Sequence, residues 1–275
     1  MTQGTNVMTH DRMLTAGIDI GSAVVKVALV ETDGAGLERL LAGRAERMRR
    51  RDAIQVARDA YDAVLGEAGV AAADVTYVAT TGEGETIPFR TGHFYGMTTH
   101  ARGGLFLVPE ARAIIDMGAL HTRAVAMDAR GKVLGYRMTS QCASGSGQFL
   151  ENIARYLGVS LEEVGSLSVQ ADHPETCSSI CAVLAETDVI NMVSRGISLP
   201  NILKGIHASM AGRAVKLVVS LGVTGPVLIT GGLAADQGLV AAMRESAQGQ
   251  KMTVDVRSHP QSILAGALSA EHWCA

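Results

Sequence analysis

Short apolar runs, each long enough for one buried strand, dominate the first part of the chain. The sequence LTAGIDIGS at 14–22 is followed by AVVKVALVE at 23–31, and a third strand is expected near 37–46. Apolar residues at helical spacing over about 52–68 predict a helix, and VTYVATTGEG at 75–84 predicts a strand that runs into glycines. This part is therefore expected to fold as strand, strand, strand, helix, strand.

The same order of elements recurs later in the chain. Three further strands are predicted for ARAIIDMGA at 111–119, TRAVAMD at 122–128 and KVLGYRM at 132–138. A helix opens within SGSGQFLENIARYLG at 144–158, and GPVLITGG at 225–232 is another strand that ends in glycines. We interpret the repeat as an internal duplication, which predicts an α/β fold of two similar lobes.

The duplication suggests boundaries for the parts of the chain. Residues 1–13 are expected to form a disordered tail, residues 14–109 the first lobe and residues 110–275 the second lobe. The stretch 158–222 matches neither copy, so we expect a mostly helical insertion in the second lobe. Two lobes that face each other would form a cleft at their strand ends, where α/β folds bind ligands.

An Asp-x-Gly sequence ends the first strand of each predicted lobe. The two copies are Asp19-Ile20-Gly21 and Asp116-Met117-Gly118. One such sequence alone is typical of a β-turn, but two at equivalent places in a repeat indicate a shared site. Two carboxylates across a cleft can hold hydrated Mg²⁺ or orient a water for attack on a phosphate, and the amides of a tight hairpin can face phosphate oxygens.

Composition and charge exclude several classes of partner. The chain has 275 residues, a formal net charge of −3 and scattered basic residues, so we expect no nucleic-acid surface. No apolar stretch approaches the roughly 20 residues that span a bilayer, and no signal peptide is recognisable, so we expect a cytoplasmic protein without membrane contact. In that compartment its four cysteines are reduced and available to a metal.

Seven stretches together resemble one protein family. They are GIDIGSAVVKVALVE, TGEGE, THARGG, DMGALHTRA, CASGSGQFLE, SSICAVLAETDVIN and GGLAAD. The chain resembles the ATPases that activate 2-hydroxyacyl-CoA dehydratases and drive benzoyl-CoA reductase. The resemblance implies duplicated RNase H-like lobes of the acetate kinase, sugar kinase, Hsp70 and actin superfold. It also implies ATP and Mg²⁺ as ligands, and ATP hydrolysis that drives electron transfer.

The resemblance assigns roles to individual positions. It implies catalytic roles for Asp19 and Asp116. It implies nucleotide-binding roles for Gly21, Ser22, Ala23, Lys26, Gly118, Gly145, Ser146, Gly147, Gly231 and Gly232. Cys142 and Cys181 match the family's cysteines, and each precedes a predicted helix, whose dipole stabilises a thiolate. Because a [4Fe–4S] cluster needs four thiolates, two chains would share one cluster.

The other cysteines and one histidine allow several interpretations. Cys177 could be a zinc ligand in C-x₃-C with Cys181, a spare thiol or a structural thiol, and the structural or spare role is favoured. Cys274 is expected to have no role. His100 could line the cleft, although a packed or capping histidine is equally consistent with its position.

One departure from the family pattern points to a branch of the family. Leu120 and His121 stand where the dehydratase activators have Gln and Asp, so we assign no catalytic role there. This variation, TGHFY at 91–95 and the short chain resemble the smaller, D-type ATPase subunits of ATP-dependent benzoyl-CoA reductases. The implied partners are a larger homologous ATPase subunit, the catalytic reductase subunits and ferredoxin as electron donor.

Three other functions are consistent with the sequence. The first is a homodimeric ATPase that activates a 2-hydroxyacyl-CoA dehydratase. The second is a metal-free kinase of the same superfold that phosphorylates a small metabolite, which the placement of Cys142 and Cys181 argues against. The third is a regulator that binds ATP without turnover.

Overall fold

A computed structural model describes residues 12–139, 146–177, 182–249 and 253–268 of the chain. The strands in these ranges are β1 (Met13–Ile20), β2 (Val24–Thr32), β3 (Glu38–Arg47), β4 (Tyr77–Gly82), β5 (Gly92–His93), β6 (Ala113–Met117), β7 (Thr122–Met127), β8 (Val133–Met138), β9 (Gly225–Thr230) and β10 (Val254–Arg257). The α-helices are α1 (Ala53–Ala68), α2 (Gly96–Leu107), α3 (Gly147–Tyr156), α4 (Leu161–Ser168), α5 (Ala182–Ser194), α6 (Leu199–Val219) and α7 (Gln237–Gly249). None of these helices is both long and apolar enough to cross a bilayer.

Two sheets with the same internal order form the framework. The first sheet has the order β3-β2-β1-β4-β5, and the second has the order β8-β7-β6-β9-β10. In each sheet the first three strands of the unit are antiparallel neighbours, and the fourth strand runs parallel to the first and to the fifth. The predicted duplication is therefore confirmed, strand by strand.

The central strands carry apolar side chains on both faces. All residues of β6 are buried, and in β1 only Met13 is partly exposed. A strand with sheet neighbours on both sides and covered faces requires such a run, which explains why β1 and β6 read as apolar runs in the sequence. Strand β1 already includes Met13, the last residue of the expected tail, and residues 1–11 lie outside the described residues.

One long helix covers the same face of each sheet. Helix α1 packs against β1, β2 and β3, and α6 packs in the same way against β6, β7 and β8. Asp52 caps α1 by accepting from the amide of Gln55, and Gly69 ends the helix with φ +65°. The helical stretch 158–222 thus includes the helix that covers the second sheet, while α3 and α4 precede it in the chain.

Three elements of the fold were not predicted from the sequence. Strand β5 has only two residues, and β10 has four, which is too short for a clear alternating pattern. Helix α2 contains Gly96, Gly103 and Gly104, and glycine weakens the helical signal. This helix contacts β4 of the first sheet and four strands of the second, so it lies between the lobes.

The chain returns to the first lobe near its C-terminal end. The 3₁₀ turn Ser262–Leu264 contacts β2 and β3 of the first sheet as well as β9 of the second sheet and α2, although we expected residues 110–275 to form the second lobe. Glycines make this contact possible, because a Cβ added at Gly17 or Gly103 would overlap the carbonyl oxygens of Ala267 and Ala265. Segment 262–268 therefore joins the two halves of the molecule.

Two glycine-to-alanine substitutions in helices should have opposite effects on stability. Gly103→Ala would push segment 262–268 off helix α2, and we expect it to lower the free energy of unfolding by about 1–3 kcal/mol. Gly66→Ala in α1 meets open space and should raise that free energy by about 0.4–1 kcal/mol. Urea denaturation of both variants measures the difference. Equal effects at both positions would contradict the close packing of this segment.

Candidate active site

The first carboxylate of the site is Asp19, near the end of β1. It lies directly opposite Lys26 in the antiparallel register of β1 and β2, and the ammonium donates to its Oδ2 at 3.0 Å. Asp19 and Lys26 are only 5% and 7% exposed. A buried ion costs several kcal/mol unless it is paired, so the two residues depend on each other.

The second carboxylate, Asp116, has an equivalent position in the second lobe. It lies near the end of β6 opposite Arg123 of β7, whose Nε and Nη2 donate to its Oδ2 at 3.0 and 2.5 Å. In both lobes the base follows the acid by seven positions in the sequence. The spacing Asp-x-Gly-x₄-Lys/Arg occurs twice in the sequence, although Arg123 was not predicted as a site residue from it.

A buried histidine stands between the two carboxylates. His100 of α2 places Nε2 at 3.7 Å from Asp19 Oδ2 and Nδ1 at 3.8 Å from Asp116 Oδ1. Its Nδ1 also forms a hydrogen bond of 3.1 Å with the hydroxyl of Thr230 at the end of β9. The structure thus places His100 between the two carboxylates, where it contacts the strand ends of both lobes.

Both aspartates are held in the ionised form. Burial alone would raise the pKa of Asp19, but the charge of Lys26 and the contact with His100 outweigh it, so the pKa lies well below its usual range. Burial likewise opposes ionisation of Asp116, and His100 together with Arg123 lowers its pKa. The site therefore contains two buried anionic carboxylates, whose oxygens suit a hard cation such as Mg²⁺.

Tight turns follow both carboxylates. The amide of Gly21 donates to the carbonyl of Val24 at 3.1 Å, so that Ser22 and Ala23 form the tip of the first turn. In the second turn the amide of Gly118 donates to the carbonyl of His121 at 2.9 Å. The two predicted phosphate hairpins thus have the same form, and each is joined directly to its aspartate.

Helix α3 is bound to the second turn by its first amides. Gly147 donates to the carbonyl of Gly118 and Gln148 to that of Ala119, both at 2.9 Å. Ser146, at the N-cap position of α3, is 2% exposed. The predicted residues Ser146 and Gly147 therefore lie beside the Asp116 turn, while Gly145 lies outside the described residues.

Glycines also shape the wall of the site. Gly231, at φ +88°, lies so close that an added Cβ would be 2.5 Å from Asp116 Oδ1. At Gly266 an added Cβ would be 2.6 Å from Asp19 Oδ2 and 2.8 Å from His100 Nε2. Gly231 was predicted from its sequence, whereas Gly266 was not, because no local pattern marks it. Gly232 is exposed and has open space around it.

Cys177 is the cysteine that the structure describes. It is 6% exposed and its Sγ lies 4.0 Å from the carbonyl of Ala185. Burial and the nearby charge of Asp188 raise the pKa of Cys177 to about 11. The position of Cys177 in the buried apolar core of the second lobe supports the structural role favoured above.

The proposed cluster ligands, Cys142 and Cys181, lie outside the described residues, as does Cys274. The described part of the chain contains no group of three or more His, Cys, Asp and Glu side chains that could hold a metal ion. Helices α3 and α5, which follow the two proposed ligands in the sequence, pack against each other. The first described residues after Cys142 and Cys181 thus belong to neighbouring elements.

Comparisons with known proteins agree with this architecture. Residues 16–273 match the model of the BadF/BadG/BcrA/BcrD ATPase family. The chain is 63% identical to the D subunit of benzoyl-CoA reductase from Thauera aromatica, over 95% of this chain and 93% of that protein. The match therefore extends over nearly the whole of both chains.

Solved structures show the same fold. The activator of the 2-hydroxyisocaproyl-CoA dehydratase from Clostridium difficile, with bound ADPNP, superposes with a TM-score of 0.82 at 32% identity, covering 94% of this chain and 92% of that chain. A ROK family glucokinase from Streptomyces griseus gives a TM-score of 0.51 at 15% identity, covering 94% and 98%. The predicted superfold is therefore confirmed.

The depressed pKa of Asp19 predicts how stability depends on pH. Its folded-state pKa lies below the unfolded value of about 3.9, so its contribution to stability is present above about pH 4 and is lost as pH falls through the folded pKa. In Asp19→Asn, the free energy of unfolding should fall less steeply with pH below about 4. Urea denaturation from pH 6 to 3, without metal or nucleotide, measures the slopes. Parallel slopes in both proteins would refute the ion pair as the cause.

Proposed function

The chain belongs to the BadF/BadG/BcrA/BcrD ATPase family, and we propose that it is an ATP-hydrolysing, electron-activating component of a benzoyl-CoA reductase, of the D-subunit type. In this function, ATP hydrolysis drives low-potential electrons from ferredoxin, through a [4Fe–4S] cluster, to subunits that reduce the aromatic ring. The observation that carries the proposal is the pair of buried, ionised carboxylates at equivalent strand ends, in a chain so similar to that reductase component.

ATP hydrolysis is assigned to the cleft between the lobes. Asp19 and Asp116 would hold Mg²⁺, largely through water, because Mg²⁺ prefers oxygen ligands and keeps several waters. Either carboxylate could orient the water that attacks the γ-phosphate. The turns after Asp19 and Asp116 would bring their amides, and the ammonium of Lys26, toward the phosphates. When bound, Mg²⁺ neutralises charge on the phosphates.

Helix α3 offers a path from the nucleotide to the cluster. Its first amides bind the carbonyls of the turn after Asp116, so the turn and the helix move together. Cys142 precedes Gly147, the first residue of α3, by five residues. A change in the turn between nucleotide states would thus shift the cysteine. Such coupling requires contacts that differ between the two states, and these hydrogen bonds are candidates.

The cluster would be shared between two subunits. Cys142 and Cys181 supply two of the four thiolates that a [4Fe–4S] cluster needs, and a partner would supply the other two. The larger homologous ATPase subunit is the proposed partner, together with the catalytic reductase subunits. The cytoplasmic location stays a prediction of the sequence.

The alternatives fit less well. A homodimeric dehydratase activator would share this fold and chemistry, but the chain is far more similar to the reductase component than to that activator. A metal-free kinase would leave the paired placement of Cys142 and Cys181 before two helices without purpose. A regulator that binds ATP without turnover would release no phosphate, which the measurement below tests.

Removal of either carboxylate should abolish ATP hydrolysis. We expect Asp19→Asn and Asp116→Asn to lower kcat for ATP by about 100-fold or more, since each removes a charge from the metal and phosphate site. The measurement is phosphate release by the complex purified anaerobically with its partner subunits. Asp128→Asn, in the turn between β7 and β8, is a control that should retain turnover. Unchanged turnover in either cleft variant would refute the site.

Cysteine substitutions should separate cluster ligands from a structural thiol. Cys142→Ala and Cys181→Ala should each reduce the iron and acid-labile sulfide of the anaerobically purified complex and weaken the EPR signal of the reduced cluster. Cys177→Ala should retain both, because this thiol is buried in the apolar core of the second lobe. We expect about four irons per pair of ATPase subunits in the wild type.

The pattern of iron loss also tests the alternatives. A wild-type complex without iron would eliminate the shared cluster and favour a metal-free enzyme. Loss of iron in Cys177→Ala with normal iron in Cys181→Ala would exchange the roles assigned to these two residues. A cluster in a homodimer without a larger partner subunit would favour the dehydratase activator.

A further inference from the structure

The imidazole of His100 occupies the point where both lobes meet. It is 5% exposed and comes from α2, the helix between the two sheets. Of its contacts in the described structure, Asp19 belongs to the first sheet, whereas Asp116 and Thr230 belong to the second. Thr230 is fully buried as well. The proposed ATPase chemistry uses the two carboxylates and does not account for this residue.

The two ring nitrogens face different lobes. Nδ1 bonds to Thr230 at 3.1 Å and lies 3.8 Å from Asp116, which ties the ring to the second lobe. Nε2 faces Oδ2 of Asp19 in the first lobe at 3.7 Å. The ring thus spans the two carboxylates. Lys26 binds the same oxygen of Asp19 that faces Nε2, whereas Arg123 binds the oxygen of Asp116 that does not face Nδ1.

Glycines allow the backbone to lie close to the imidazole ring of His100 and to the carboxylates. An added Cβ at Gly266 would lie 2.8 Å from Nε2, and one at Gly231 would lie 2.5 Å from the carboxylate that faces Nδ1. The backbone at Gly266 therefore lies against the ring and Asp19, and the backbone at Gly231 lies against Asp116. A histidine that only filled space would not need a polar partner at each nitrogen, because an apolar side chain would pack there at lower cost.

We propose that His100 is a positioning residue that sets the spacing and orientation of Asp19 and Asp116 across the cleft for ATP hydrolysis. Nδ1 anchors the ring on the second lobe through Thr230. Nε2 holds the carboxylate of Asp19, in the first lobe, at a fixed position relative to that anchor. The inference rests on the proposed ATPase function, and it names the contact by which closure of the lobes aligns the two acids. A misplacement of about 1 Å can cost on the order of 100-fold in rate.

Two amide substitutions separate the roles of the nitrogens. The side-chain amide of His100→Asn can occupy the place of Nδ1 and retain the bond to Thr230, but it does not reach Asp19. The amide of His100→Gln can reach the place of Nε2 and face Asp19, but it loses Thr230. For each variant we expect kcat for ATP to fall by about 10- to 100-fold, while the Kd for a fluorescent ATP analogue and the Tm stay close to wild type.

A substitution in the partner residue tests the anchor from the other side. Thr230→Val keeps the shape of the side chain and removes the hydroxyl that bonds to Nδ1. Thr230→Val should reproduce the loss of kcat seen in His100→Gln. The double variant Thr230→Val/His100→Gln should show no further loss, since each of the two substitutions removes the same contact. If the fold-losses of kcat in the two single variants multiply in the double variant, the hydrogen bond between Nδ1 and Thr230 does not anchor the ring as assigned.

All variants are measured in the anaerobically purified complex, beside the wild type and Asp19→Asn. Turnover within twofold of wild type in both His100 variants would overturn the inference, as would a loss of kcat that follows equal losses of nucleotide affinity and Tm. If Asp19→Asn abolishes hydrolysis but His100→Asn and His100→Gln do not reduce it, the inference about His100 is wrong and the proposed ATPase function stands. Absence of hydrolysis in the wild type would overturn the proposed function and the inference with it.

Discussion

Two buried carboxylates, each paired with a cation on the neighbouring strand, determine much of the surrounding structure. An isolated carboxylate in an apolar interior costs many kcal/mol, so Asp19 requires Lys26 and Asp116 requires Arg123. Because each pair is directly opposite in an antiparallel hairpin, the pairing also fixes the register of β1 with β2 and of β6 with β7. A slip of one residue would send an acid and its base to different faces of the sheet.

The same hairpins connect the charges to the rest of the molecule. The turn after Asp116 is bonded to the first amides of α3, and the helix in turn packs against α4 and α5. Main-chain hydrogen bonds of this kind transmit a displacement more rigidly than contacts between mobile side chains. In the first lobe the carbonyl of Ala23 accepts instead from the amide of Met48, which lies between β3 and α1 and not in a helix. The duplicated halves therefore share a turn that follows a buried aspartate but differ in the element that is bonded to this turn.

Much of the framework was predictable, because strands such as β1, β6 and β9 are buried runs and α1 is amphipathic with a clear cap. Both aspartates could be found because the duplication repeats their motif. Strand β5 was not predicted because two residues show no periodicity. Helix α2 was not predicted because its glycines weaken the helical signal. His100 and Gly266 could only be assigned in three dimensions, since they reach the site from helix α2 and from the last described segment.

The return of segment 262–268 to the first sheet limits how the lobes can move. The chain crosses from the first lobe to the second between α2 and β6, and it crosses back after β10. Two bodies joined at two points cannot slide apart or turn freely, as they could on a single linker. The freedom that two crossings leave is mainly rotation about the line that joins them.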